Sequence, residues 1–163
     1  MDWLIPWPKR RQGVCQVCGT NLLLAPLPEL SGRHREALVV FKNLPALQCG
    51  IEGHPRRYPH PDFGAQLMEA IFWNPDLPVT RIHRRKGVKC CRCGEGMQRS
   101  PTRTGAVEGT LSIQDLPPFD IRIRGAVANC PKCDTQQLVA TQQVSSDIAD
   151  AIVDAFKQVD LKP

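Results

Sequence analysis

Apolar and polar positions alternate along this chain with two different periods. Phe63, Leu67, Ala70 and Ile71 fall on one face at helical spacing, which predicts a helix from about Asp62 to Trp73. The Asp62 carboxylate can accept from the first-turn amides, and Asn74-Pro75 ends the helix. A second stripe of Ile148, Ile152, Phe156 and Val159 predicts a helix from about Asp147 to Gln158. Ser146 is its expected cap, and Asp147 and Asp150 suit its positive end. Elsewhere the period is two. Phe119, Ile121 and Ile123 alternate with Asp120, Arg122 and Arg124, the pattern of a half-buried strand. Leu111 and Ile113 point the same way ahead of Pro117-Pro118. Glu36 to Lys42, β-branched at Val39 and Val40, is a strand that breaks at Asn43-Leu44-Pro45, and Gln137 to Thr141 is a short closing strand. These elements imply a small α+β protein.

The interior these elements can build is modest, because aromatics make up 6% of the 163 residues and there is one tyrosine. Two halves of this length sit where apolar burial alone is marginal, and such domains usually add a metal or disulfides. The eight cysteines fall as Cys15 and Cys18, Cys49, then Cys90, Cys91 and Cys93, then Cys130 and Cys133. Two residues between paired cysteines is the knuckle spacing of tetrahedral metal sites. A disulfide framework would need an oxidising compartment. The N-terminus, with Asp2, Pro6 and Pro8, lacks the pattern of a secretory signal, and no stretch approaches the ~20 apolar residues of a membrane span. A cytoplasmic location with reduced thiols is therefore expected.

The pattern also repeats. Cys15-x2-Cys18-Gly19 returns 75 residues later as Cys90-x2-Cys93-Gly94, and Cys49 returns 81 residues later as Cys130. The helix endings at Phe72 and Phe156 lie 84 apart. Three landmarks in one order imply an internal duplication. The expected plan is two tandem zinc-bound modules, each running knuckle, antiparallel strands, knuckle, helix. The boundaries are an arm at 1–13, module one at 14–73, a basic linker at 74–89, module two at 90–159 and a tail at 160–163.

In the second module, Cys90, Cys93, Cys130 and Cys133 are four thiolates suited to Zn²⁺, with iron in a rubredoxin-like centre as the chemical rival. Cys91 competes with Cys90, but only Cys90 reproduces the gap and the glycine of Cys15-x2-Cys18-Gly19. The first module offers Cys15, Cys18 and Cys49. Its fourth ligand is expected to be His54, reached across Gly50 and Gly53, with His60 as the alternative at the end of a longer loop. A lost metal in this module is a further alternative. Both ions are expected to be structural, because no open ligand position with a general base beside it is apparent. The Pro-Cys-x2-Cys segment of zinc deaminases is missing, since Asn129 precedes Cys130, as are phosphate-binding glycine loops and nucleophile elbows.

Cys15-x2-Cys18-Gly19, the strand ending Asn43-Leu44-Pro45-Ala46-Leu47 just before Cys49, and the helix that follows resemble the YgiT-type zinc finger. This is the zinc-binding N-terminal domain of MqsA-type antitoxins. The second half resembles it through Cys90-x2-Cys93-Gly94 and Cys130-x2-Cys133. The resemblance implies structural zinc at the seven cysteines and a domain that binds a partner protein. It departs in having His54 where the family has cysteine, in being doubled, and in lacking a helix-turn-helix.

Charge adds two partner classes. The net charge of +5 is mild, but arginines cluster at 33–35, 56–57 and 81–86. Trp3, Leu4, Ile5 and Trp7 beside Lys9-Arg10-Arg11 suit a protein interface, which makes a non-catalytic interaction module the leading expectation. It would serve as an adaptor, an antitoxin- or immunity-like protein, or an accessory subunit. Nucleic-acid binding is the alternative, with phosphates held by the basic linker and by Arg99, Arg103, Arg122 and Arg124.

Overall fold

The computed structural model describes residues 13–163, so the tryptophan-bearing arm lies outside the described residues, apart from Gly13. Eleven strands and two helices follow in order: β1 Leu23–Pro26, β2 Leu30–His34, β3 Ala37–Lys42, β4 Pro45–Gln48, β5 Arg56–Arg57, α1 Phe63–Trp73, β6 Arg81–His83, β7 Gly87–Lys89, β8 Arg103–Leu111, β9 Phe119–Asn129, β10 Gln136–Leu138, α2 Gln142–Gln158 and β11 Leu161–Lys162. An α+β fold with sheets and two helices is therefore present.

The hub is β9, whose odd positions from Phe119 to Val127 are buried while Asp120, Arg122 and Arg124 are exposed. Along one edge it pairs antiparallel with β8 from Arg103↔Val127 to Leu111↔Phe119. Along the other edge it receives β3, from Leu38↔Arg124 to Lys42↔Asp120, and then β10 at residues 127–129. Strand β2 closes this sheet beyond β3. A tandem plan would leave each half with its own sheet; here the first half's β3 is hydrogen-bonded to the second half's β9. The reason is burial. Val39 and Phe41 need an apolar neighbour on the helix side, and Ile121 and Ile123 supply it in register. One core cluster consequently runs from Leu27 to Leu161 and takes in Phe63, Leu67 and Ile71 of α1 with Ile148, Ile152 and Phe156 of α2.

The helices show what the apolar pattern captured and what it missed. Helix α1 occupies the expected span, but Asp62 makes no side-chain cap bond. Helix α2 starts five residues before Asp147, capped by Thr141, whose hydroxyl accepts from the Val144 amide at 3.3 Å. Residues 142–146 carry little apolar signal, so the early turn depends on its cap. Ala151 and Ala155 join the buried stripe because α2 lies directly on β2 at Gly32, where a Cβ would collide with the helix backbone.

A four-stranded sheet, ordered β1-β4-β5-β11, joins the first cysteine segment to the chain's last residues. Residues 161–162, expected as tail, pair in parallel with Arg56 and Arg57, and Leu161 is buried. The expected linker is likewise built in. Leu77, Val79 and Thr80 are buried, the Thr80 amide donates to the Leu138 carbonyl at 2.9 Å, and the Thr80 hydroxyl accepts from the Ala140 amide at 3.0 Å. Hairpin β6–β7 lies at the surface, with residues 81–86 all exposed. No helix among the described residues is long and apolar enough to cross a membrane.

Candidate metal centres

Three of the four cysteine segments fold into one local design. In each, the first cysteine's amide donates to the carbonyl five residues on: Cys15 to Thr20 at 2.7 Å, Cys90 to Glu95 at 2.7 Å and Cys130 to Thr135 at 3.0 Å. The amide four residues on returns to that cysteine's carbonyl, from Gly19, Gly94 and Asp134 at 2.8, 3.1 and 3.0 Å. This closure needs a left-handed residue, supplied by Gly19, Gly94 and, at φ 61°, Asp134. The glycine after each N-terminal knuckle is thus a backbone requirement, and the asparaginyl-like tolerance of Asp lets the Cys130 knuckle do without one. The fourth segment differs. Gly50 and Gly53 both adopt positive φ, and the chain returns through a His54 amide bond to the Ile51 carbonyl at 3.3 Å.

These turns bring eight side chains into two groups, Cys15, Cys18, Cys49 and His54, and Cys90, Cys93, Cys130 and Cys133; within each, the ligand atoms all lie within 4.8 Å of one another. In the second group Cys90 and Cys133 Sγ are 3.6 Å apart and Cys93 and Cys130 Sγ 3.5 Å. In the first, His54 Nδ1 lies 3.5 Å from Cys15 Sγ and 3.3 Å from Cys49 Sγ. A tetrahedral zinc bound at about 2.3 Å to sulfur and about 2.0 Å to nitrogen sets edges of about 3.8 Å between sulfurs and about 3.5 Å from sulfur to nitrogen. The two short edges in each group are close to these lengths, and the remaining donor pairs lie within 4.8 Å, compact enough to close on one ion. Disulfides would need sulfurs about 2.05 Å apart, and all eight cysteines are free. Each group can hold one metal ion.

The chain matches no protein-family model, no curated protein and no solved structure. The geometry alone thus carries the reading of these sites. Of the two histidines weighed for the first group, His54 is the one placed in it. His60 packs edge-on against Phe63 at 6.1 Å with its Nε2 buried and unpartnered. Cys91 stays out of the second group and is half-buried, its amide donating to Gln137 Oε1 at 2.8 Å.

Gln137 is the functional residue that sequence reasoning missed. It is fully buried, and its Nε2 lies 3.2 Å from Cys90 Sγ and 3.1 Å from the Thr135 carbonyl. One side chain thereby ties the Cys90 knuckle to the Cys130 knuckle. A lone glutamine in a strand of Gln136-Gln137 gives no sequence signal for this; the period-two pattern says only that one of the pair faces inward. Further donors reach the sulfurs. The Arg92 amide meets Cys90 Sγ at 3.4 Å, and the Lys132 and Cys133 amides meet Cys130 Sγ at 3.4 and 3.5 Å. Beside these amide donors, Cys18 and Cys133 Sγ each hydrogen-bond a hydroxyl, donating to Thr20 and Thr135 Oγ1 at 3.2 Å.

These contacts sort the thiols. The Thr20 hydroxyl and amide bring Cys18 down to about 6. At Cys90, burial opposes ionisation, yet Gln137 and the Cys93 and Arg92 amides outweigh it and the thiol also falls to about 6. Cys133 is lowered by Thr135. Cys93 goes the other way, to about 12, because the helpful Glu95 amide is overcome by desolvation and by the sulfurs around it. Cys49 is raised for similar reasons, despite the Ile51 amide. Four sulfurs this close cannot all carry charge without a cation among them.

Proposed function

We propose that the chain is a zinc protein with two structural ions, and that it acts by docking onto a partner protein. The observation that carries the first part is that four protein donors converge in each group, all within 4.8 Å of one another, which fills a four-coordinate shell and leaves no vertex for water or substrate. Thiolate-rich donor sets favour zinc over the hard divalent cations. Eight unpaired cysteines suit a reducing compartment, and the cytoplasm is the location that follows from this reading.

The surface supports the second part. Seven large apolar side chains are exposed among the described residues, and four of them, Val14, Val17, Leu23 and Ile51, belong to the segments that build the first metal group. Val17 is 63% exposed at the knuckle tip. Leu23 begins β1, an edge strand paired only with β4. Apolar side chains held out on a rigid metal-stapled turn are the anchors an interface uses. The resemblance to the YgiT-type zinc finger, a partner-binding domain, points the same way, to an adaptor, an antitoxin- or immunity-like protein, or an accessory subunit. The test is co-purification of the zinc-loaded chain with its partner from source cells, beside the double variant Val17→Asp, Ile51→Asp. Loss of a stoichiometric partner in the variant supports the reading; the same recovery from both, or no partner from either, contradicts it.

A further inference from the structure

Charge is spread unevenly over this molecule. The 23 residues from Arg81 to Arg103 hold eight of the chain's 21 lysines and arginines and one of its 16 acidic residues, Glu95. That segment has a net charge of +7, so the rest of the chain is acidic by two charges. The whole-chain value of +5 conceals this division.

The fold gives the segment a shape. Strands β6 and β7 pair from Arg81↔Lys89 to His83↔Gly87, and Arg84, Arg85 and Lys86 form the three-residue tip. Gly87, at φ +73°, supplies the left-handed residue such a loop needs. The hairpin is fixed at its base, because the Met97 amide donates to the Val88 carbonyl at 2.9 Å and Val88 packs on the small core around Cys90 and Cys130. Arg92 and Lys132 occupy the exposed turns of the two knuckles, next to the same metal group. Of the eight cations, all but Lys89 are exposed. None is in an ion pair among the described residues; the pairs found there use His34, Arg35, Lys42 and Lys162. A zinc tetrathiolate carries a charge of −2, which cancels only a minor part of this field.

We propose that hairpin β6–β7, with the knuckle residues Arg92 and Lys132, forms a docking surface for the phosphate backbone of duplex DNA. A dense, unpaired and exposed cationic patch is the electrostatic footprint of a phosphate-binding surface, and this one lacks the aromatic anchors that accompany arginine at protein interfaces. No Phe, Tyr or Trp lies between 81 and 103, so the platform on which single strands stack their bases is missing. A two-stranded ribbon fits the major groove of B-form DNA, about 12 Å wide, and not the narrow groove of A-form RNA. This surface is separate from the apolar one at the first metal group, so either reading can fail without the other.

The test uses the zinc-loaded full chain and fluorescence anisotropy with a labelled random-sequence 20-base-pair DNA duplex, titrated over salt concentration. We expect binding at low salt whose log affinity falls with log salt at a slope of about −4, roughly 0.9 per phosphate contacted. Arg84→Glu with Arg85→Glu should lower affinity at least tenfold and flatten that slope by about 2. The double variant Lys42→Glu, Lys157→Glu, which makes the same change in net charge outside the hairpin and the knuckles, should bind within twofold of the native chain. Circular dichroism checks that both variants are folded. The proposal is overturned by no duplex binding at low salt or by equal losses in the two variants. Binding to single-stranded DNA, duplex RNA or phosphatidylserine vesicles that matches or exceeds binding to duplex DNA overturns it as well.

Discussion

Gln137 illustrates how one buried polar side chain can organise a candidate metal centre. Its amide bridges Cys90 Sγ, the Cys91 amide and the Thr135 carbonyl, so it orients a ligand and joins two knuckles. Outer contacts of this kind typically contribute 10–100-fold in metal affinity. Gln137→Leu should therefore lower affinity at the second site by about that factor, read by competition with a chromophoric chelator, and leave the first site unchanged. Protonation provides a second test at this scale. Cys18 and Cys90 titrate at about 6 in the folded chain against an ordinary value of 9.0. Their lowered values stabilise the fold fully above pH 9, and that contribution is lost as pH falls through 6. Cys49 and Cys93 are raised, so they cost stability as pH climbs above 9. The melting temperature of the metal-free chain should peak near pH 9 and fall on both sides. A flat profile between pH 5 and 9 would contradict these assignments.

At the scale of elements, α2 depends on two small features. Gly32 lets the helix lie directly on β2, and any Cβ there meets the backbone at Ala151 and Ala155. Gly32→Val should destabilise the chain by about 3 kcal/mol or more in denaturant unfolding, in the range of overpacked cores. Thr141→Ala removes the cap and should cost about 1 kcal/mol. The sequence disclosed some of this. Phe63, Leu67 and Ile71 marked α1, and the alternation from Phe119 to Arg124 marked β9, because a one-sided apolar face leaves a periodic trace. The start of α2 lay hidden in Gln142-Gln143, which has no such trace, and β1, β2 and β4 are too short or too proline-bound to show one. The candidate ligands were legible because metal spacing is local; Gly50 and Gly53 already favour His54 over His60 in the sequence, and their positive φ values turn the chain back so that His54 Nδ1 lies 3.3 Å from Cys49 Sγ.

For the molecule as a whole, the decisive feature is the pairing of β3 with β9. No local pattern in either strand specifies it, since both read simply as half-buried strands. Because these strands run antiparallel, the segments that follow them, leading to Cys49 and to Cys130, leave the sheet at opposite ends. Each metal group lies on its own small satellite of core, Leu22 and Leu47 beside Cys15, Met97 and Val139 beside Cys90. The main core belongs to both halves. Fragments 1–74 and 75–163 should thus fail to fold separately, each giving the chemical-shift dispersion of an unfolded chain, and regain dispersion when mixed. Folding of either one alone would show the shared sheet to be dispensable. The central claim is that eight named side chains hold two ions, and metal content per chain by elemental analysis of protein purified without added metal addresses it most directly. We expect close to two zinc ions, and about one in each of His54→Ala and Cys130→Ser. A native chain that is folded, carries no metal and leaves all its thiols free to titrate would contradict it.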